Sequence, residues 1–268
     1  MSEVLRADGI CMYFGGLKAV EKVDMSIKQG EIFGIIGPNG AGKTTFFNVC
    51  SGIYKPTAGK IHFMGEDITG MMSEKIAKKG LSRTFQNIKL FNFMSVLENV
   101  RVGFHSGTKT RLLDAILHTP TYKRDEKYTI EKGLELLEMV GLYNYRDTKA
   151  GNLSYGLQRR VEIARALALE PKLLMLDEPA AGMNPNETQD LVQFILKLKD
   201  LGYTVAVIEH DMKFVMNCCE RMLVLNFGEK ISEGTPAHVK ADKNVHVAYF
   251  GKRMAMEMAG EVAEDASN

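Results

Sequence analysis

The apolar positions of this chain change period from segment to segment, and the changes mark out its elements. Residues 4 to 36 hold short strand-like stretches separated by Gly15-Gly16 and Gln29-Gly30, and residues 59 to 68 alternate in a similar way after a turn at Pro56. These stretches predict an antiparallel sheet. Ile32–Ile36, Leu173–Asp177 and Val205–Ile208 are instead short apolar runs, the pattern of strands buried on both faces.

Helix signals fall between them. Ser73 to Lys79 reads as a short helix stopped by Gly80, and Ser95-Val96-Leu97-Glu98 has the spacing of a capping box. Residues 130 to 140 have helical period and close at Gly141, and a further helix ends at Gly202. Residues 105 to 128 break the pattern with Gly107, Pro120, several Thr and many charges, and predict an insertion with a short helix around Leu112-Leu113 and Ile116-Leu117. The alternation of strands and helices predicts an α/β fold with a mostly parallel sheet, an antiparallel β subdomain, and an inserted, mostly helical block from about 87 to 160. Residues 252–268, rich in Ala, Met and Glu, read as a frayed helix or tail.

Composition narrows the classes. The 268 residues are 45% hydrophobic and 25% charged, ordinary for a globular protein of one large or two small domains. The formal net charge of +1 supplies no general field for nucleic acid or acidic lipid, and no nucleic-acid partner is expected. Cysteines stand at 11, 50, 218 and 219, without CxxC or zinc spacing, and are expected to be reduced and mostly buried. There is no run of 18 apolar residues to span a bilayer and no apolar core of an export signal at the N-terminus.

The chemistry is concentrated in three motifs. Gly37-Pro38-Asn39-Gly40-Ala41-Gly42-Lys43-Thr44 fits the phosphate loop GxxxxGK[ST], between an apolar strand and Phe46–Cys50, which can continue as helix, and Thr45 is expected to bind nucleotide with it. Its glycines let backbone N–H groups converge on phosphate oxygens. Lys43 can reach the β- and γ-phosphates, and the Thr44 hydroxyl can ligate Mg²⁺. Asp177 ends an apolar strand, where its carboxylate can hold Mg²⁺. Glu178 follows it, placed to polarise a water for attack on a γ-phosphate. In Leu153-Ser154-Tyr155-Gly156-Leu157-Gln158-Arg159-Arg160, Ser154 is either an N-cap or, with Gly156, part of a second anion site. If that helix belongs to the inserted block, the second site cannot easily share a phosphate with Lys43 of the same chain, and a second chain is needed.

These motifs resemble those of the ATPase subunits of ATP-binding cassette (ABC) transporters: GPNGAGKT matches the Walker A motif, LLMLDE the Walker B motif with its glutamate, and LSYGLQRR the family signature. The resemblance runs from about residue 3 to 251. Through RTFQNIKLF at 83–91, LDEPAAGMNP at 176–185, IEHDM at 208–212 and AYFG at 248–251, the chain is most similar to the branched-chain amino acid importer ATPases. The resemblance implies a P-loop NTPase (RecA-like) core over 1–86 and 161–251 and a helical signature subdomain over 87–160. It implies ATP and Mg²⁺, with Phe14 stacked on adenine (Tyr13 the fallback), Gln86 sensing Mg²⁺ and the attacking water, and His210 contacting the γ-phosphate. It implies that Ser154 and Gly156 bind ATP held by a second, homologous or identical ATPase subunit, so that two subunits sandwich the nucleotide. It also implies two membrane permease subunits, an extracytoplasmic solute-binding protein, and a peripheral position on the cytoplasmic face of the membrane.

In the loop 87–94, Leu90, Phe91 and Phe93 are either a docking surface for the permeases or packing inside the helical block. Leu157 stands where the general signature has Gln, and Asn184 where the loop after Walker B usually ends in Asp. Other readings are a lipopolysaccharide-export type ATPase and a soluble ABC ATPase outside transport.

Overall fold

Alternating burial in the first strands builds one sheet, and uninterrupted burial builds another. The computed structural model describes residues 2–104, 114, 117 and 119–249. The chain forms two contact units, Met1–Ile76 with Ile195–Asn268, and Ala77–Phe194.

In the first unit, β1 (Glu3–Phe14) and β2 (Leu17–Lys28) form an antiparallel hairpin. β2 buries Val20, Val23, Met25 and Ile27 and turns polar residues outward, as a sheet with one wet face requires. β4 (Ala58–Phe63) pairs with β1, and β5 (Glu66–Asp67) with β4, completing the antiparallel order β2-β1-β4-β5. The strands are longer than the short stretches read from sequence. Register shifts along the β1–β2 ladder interrupt the alternation without ending the pairing.

β3 (Ile32–Ile36) and β8 (Val205–Ile208) are buried at every residue. β3 pairs in parallel with β8 and with β9 (Arg221–Asn226), and β9 pairs antiparallel with β10 (Glu229–Gly234). α1 (Lys43–Cys50) packs on β1, β2 and β8 through Phe46, Phe47 and Val49. α7 (Met212–Cys218) packs on β3, where a Cβ at Gly34 would run into Val215. α8 (Pro236–Ala241) packs on β9 and β10. All four cysteines are buried and outside any disulfide, as expected from their spacing.

In the second unit, β6 (Leu81–Arg83) pairs in parallel with β7 (Leu173–Asp177), whose five residues are buried. α2 (Ser73–Lys78), which runs from the first unit into the second, precedes β6 and ends before Gly80 at φ 106°, matching the sequence stop signal. α3 (Val96–Gly103) opens with the full capping box: Ser95 Oγ accepts from the Glu98 amide and the Glu98 carboxylate accepts from the Ser95 amide. It packs against α4 (Pro120–Met139) and α5 (Tyr155–Leu167), and comes so close to α5 that a Cβ at Gly103 would meet the Arg165 carbonyl. α6 (Pro185–Asp200) then carries the chain from the second unit into the first.

α4 corrects the sequence expectation of a helix over 130 to 140. It starts ten residues earlier, with Thr119 as N-cap and Pro120 in the first turn. Proline read as a breaker is here a helix start, because the first turn needs no N–H from it and its fixed φ is already helical. The apolar pieces Leu112-Leu113 and Ile116 lie outside the described residues, as do most of 105–118 and the tail at 252–268. Among the described residues, no helix is long and apolar enough to cross a membrane.

Candidate phosphate and water-activating sites

The loop after β3 is shaped by close backbone approach. A Cβ at Gly37 would run into the Leu225 carbonyl, and one at Gly42 into the Ala19 carbonyl; Gly42 also sits at φ 94°. Only glycine meets both demands at Gly42. Within the loop Ala41 N donates to Pro38 O at 3.1 Å, and the buried Lys43 folds back, Nζ donating to Gly37 O at 2.7 Å and Pro38 O at 3.0 Å. An ammonium is thus held inside a ring of backbone. Asn39, Gly40 and Thr44 are exposed and Pro38 and Thr45 half-buried.

The helix ends separate into two kinds. α3, α4, α7 and α8 have side-chain caps from Ser95, Thr119, Asp211 and Thr235. α1 and α5 have no side-chain cap bond and no acidic residue in the first turn. An uncapped helix N-terminus keeps its N–H groups and positive dipole end for an anion; at α5 the Glu187 carboxylate already lies against Gly156. Ser154 occupies the N-cap position of α5, as read from sequence, but its hydroxyl makes no cap bond and is exposed, with Gly156 half-buried beside it. Of the two readings of Ser154, the side-chain cap is not made in this structure. Ser154, Gly156, Leu157, Arg160, Met183 and Glu187 border a cavity of about 270 Å³.

β7 delivers Asp177 and Glu178. Asp177 is buried; Arg83 Nη2 donates to its Oδ2 at 2.6 Å, while its Oδ1 is buried without a hydrogen-bond partner. A buried acceptor left over in this way fits a cation ligand. Glu178 is half-buried at φ 44°, a left-handed conformation rare outside glycine. Gln86 Nε2 donates to its Oε2 at 3.0 Å. The second unit therefore brings Gln86, Asp177 and Glu178 to one place, with Arg83 beside them.

In the first unit His210 follows β8, exposed, with its Nδ1 3.6 Å from the buried Glu209 carboxylate. Phe14, at the end of β1, is 43% exposed and makes an edge-on contact with Tyr54 at 5.5 Å. Tyr13 is the poorer platform: it is half-buried, and its phenol donates to Glu21 at 2.9 Å. In the loop 87–94, Phe91 is 50% and Phe93 91% exposed, and Leu90 half-buried. Of the two readings of these residues, internal packing fails for Phe93.

Asn184 replaces one function of an aspartate there. Its Oδ1 accepts from the amides of Asn186 and Glu187, both at 3.0 Å, and Glu187 accepts in return from the Asn184 amide at 3.1 Å. It is the N-cap of α6, a role asparagine fills as well as aspartate. Sequence reasoning missed Arg83 and Glu209. Each is a charged residue next to a buried strand or a motif residue, a signal too common to single out.

Residues 20–181 match the sequence family described as ABC transporter. The chain is 44% identical over 250 residues to the high-affinity branched-chain amino acid transport ATP-binding protein BraF of Pseudomonas aeruginosa, covering 93% of this chain and 98% of that protein. A solved ATP-binding cassette of an ABC transporter in its ADP conformation superposes with a TM-score of 0.82 at 35% identity, covering 94% of this chain and all of that one. A dimeric ATP-binding cassette in a post-hydrolysis state, bound to ADP and Pi, gives a TM-score of 0.72 at 26% identity over 87% of this chain and 98% of that one.

Proposed function

The chain belongs to the ABC transporter family of ATPases, and from that premise we propose that it is the ATP-hydrolysing subunit of an importer for branched-chain or related amino acids. The substrate class rests on the likeness to BraF along nearly the whole length of both chains. The observation that carries the ATP reading is the uncapped N-terminus of α1 at Lys43, with no acidic residue in its first turn, together with a second helix end, at Ser154, that no side chain caps.

Each residue then has a role on the nucleotide. Phe14 stacks on adenine. The backbone of Gly37–Thr45 receives the phosphates, and Lys43 exchanges the Gly37 and Pro38 carbonyls for β- and γ-phosphate oxygens, a stronger charge-assisted contact. Thr44, Asp177 through its unpartnered Oδ1, and Gln86 would hold Mg²⁺, which when bound neutralises developing phosphate charge. Glu178 orients the attacking water and accepts its proton. Gln86 fixes that carboxylate, and His210 contacts the γ-phosphate.

Ser154 and Gly156 close on the terminal phosphate of ATP held by a second ATPase subunit. The dimeric ADP-bound neighbour supports a dimer of this kind. Loss of the γ-phosphate removes the ligand that favours the closed state, and the pair reopens. Phe91 and Phe93 dock on two membrane permease subunits, which receive cargo from an extracytoplasmic binding protein, and the subunit lies on the cytoplasmic face of the membrane. Residues 1–86 and 161–251 are assigned to the nucleotide core and 87–160 to the helical block that carries the signature. The test is ATP hydrolysis by the subunit assembled with its permeases in vesicles. Binding protein loaded with leucine, isoleucine or valine should stimulate it, and indifference to all three would remove the substrate assignment.

A further inference from the structure

α5 carries an ion pair with no role in the chemistry above. Arg159 has no exposed surface and Glu162 almost none, and Arg159 Nη1 donates to Glu162 Oε2 at 2.6 Å. Removing two charges from water is costly, and a buried pair seldom adds net stability over apolar residues of the same size. Burial accordingly pushes the Glu162 carboxyl above its ordinary range, against the opposing pull of Arg159.

The remaining donors of the guanidinium show what the pair grips. Nη1 also donates to the Phe85 carbonyl and Nη2 to the Gln86 carbonyl, each at 2.8 Å. One guanidinium on α5 therefore holds two successive carbonyls of the segment that carries Gln86. Outward from that segment, the Gln86 amide reaches Glu178, and the chain runs on into the exposed Phe91 and Phe93. One turn back along α5 from Arg159 lie Gly156 and the uncapped Ser154 end.

We propose that Arg159, braced by Glu162, is a positioning residue that fixes Gln86 to the helix carrying Ser154 and Gly156. Engagement of that helix end by a partner's ATP and placement of Gln86 on Glu178 then occur together. The inference rests on the reading of Glu178 as the water-orienting group. Arg159 acts only through the Phe85 and Gln86 carbonyls. The planar fork that reaches both is specific to arginine; a lysine ammonium is a point charge on a flexible stem.

The test is steady-state ATP hydrolysis by the full transporter carrying Arg159→Lys, or the apolar pair Arg159→Met with Glu162→Leu. The expected result is a kcat lower by about tenfold or more, with the KM for ATP and the stoichiometry of ATP binding unchanged. In a Gln86→Ala background, Arg159→Lys should cost nothing further, because both act through one contact. Wild-type kcat in folded variants would overturn the proposal. So would a raised KM at unchanged kcat, effects that multiply with Gln86→Ala, or loss of the fold in Arg159→Lys, which would make the pair a structural prop. Glu178→Gln is run alongside: full hydrolysis by that variant would remove the underlying reading whatever Arg159 does.

Discussion

The side-chain amide of Gln86 donates to the Glu178 carboxylate across 3.0 Å. Glu178 meets it from a left-handed backbone position, φ 44°, directly before Pro179. A non-glycine residue held there stores strain of about 1–3 kcal/mol and persists only where its surroundings over-determine it. The carboxylate is therefore aimed by backbone and neighbour together.

Gln86→Ala should lower kcat for ATP hydrolysis by about 10- to 100-fold, in the range of lost acid–base or positioning contacts. ATP binding should persist, because the phosphate loop is untouched. Nucleotide titration and steady-state turnover of the same preparation separate the two effects. Unchanged turnover would show that Glu178 is aimed without Gln86.

Half-buried Arg83, its side chain 8% exposed, meets buried Asp177 at 2.6 Å. Arg83→Met leaves a buried carboxylate without this cation and should cost about 3–5 kcal/mol of stability. MgATP should recover more stability in the variant than in the parent, since Asp177 then faces a cation. Urea unfolding with and without MgATP measures both differences. Equal recovery in the two proteins would place Asp177 away from the bound cation.

Asn184→Ala should cost about 1 kcal/mol by removing the cap of α6, while Asn184→Asp should be nearly neutral in stability. Turnover should be the same in Asn184→Asp as in the parent. A changed ATPase rate in Asn184→Asp at equal stability would mean that the missing charge, and not the cap, matters at this position.

Much of this was legible in the chain because it depends on local chemistry. The strands at 32–36, 173–177 and 205–208 announce themselves as apolar runs, and the Ser95 capping box by its spacing. The phosphate loop is readable because its glycines answer steric demands that no other residue meets, as at Gly42. What was not legible depends on distance along the chain. The start of α4 at Pro120 hides because proline breaks a helix interior yet suits a first turn. Arg83 reaches Asp177 across 94 positions and Arg159 reaches Phe85 across 74, and no local pattern marks which of many arginines will do so. The exposure of Phe93 is likewise set by packing, not by its neighbours in sequence.

The proposed mechanism assigns hydrolysis of the bound ATP to Glu178. Its most direct test is Glu178→Gln, followed by ATP turnover and by the mass of the protein in solution with MgATP. The expected result is ATP binding at parental affinity, turnover reduced by at least about a hundredfold, and an ATP-dependent dimer that does not dissociate. Turnover at the parental rate would contradict it.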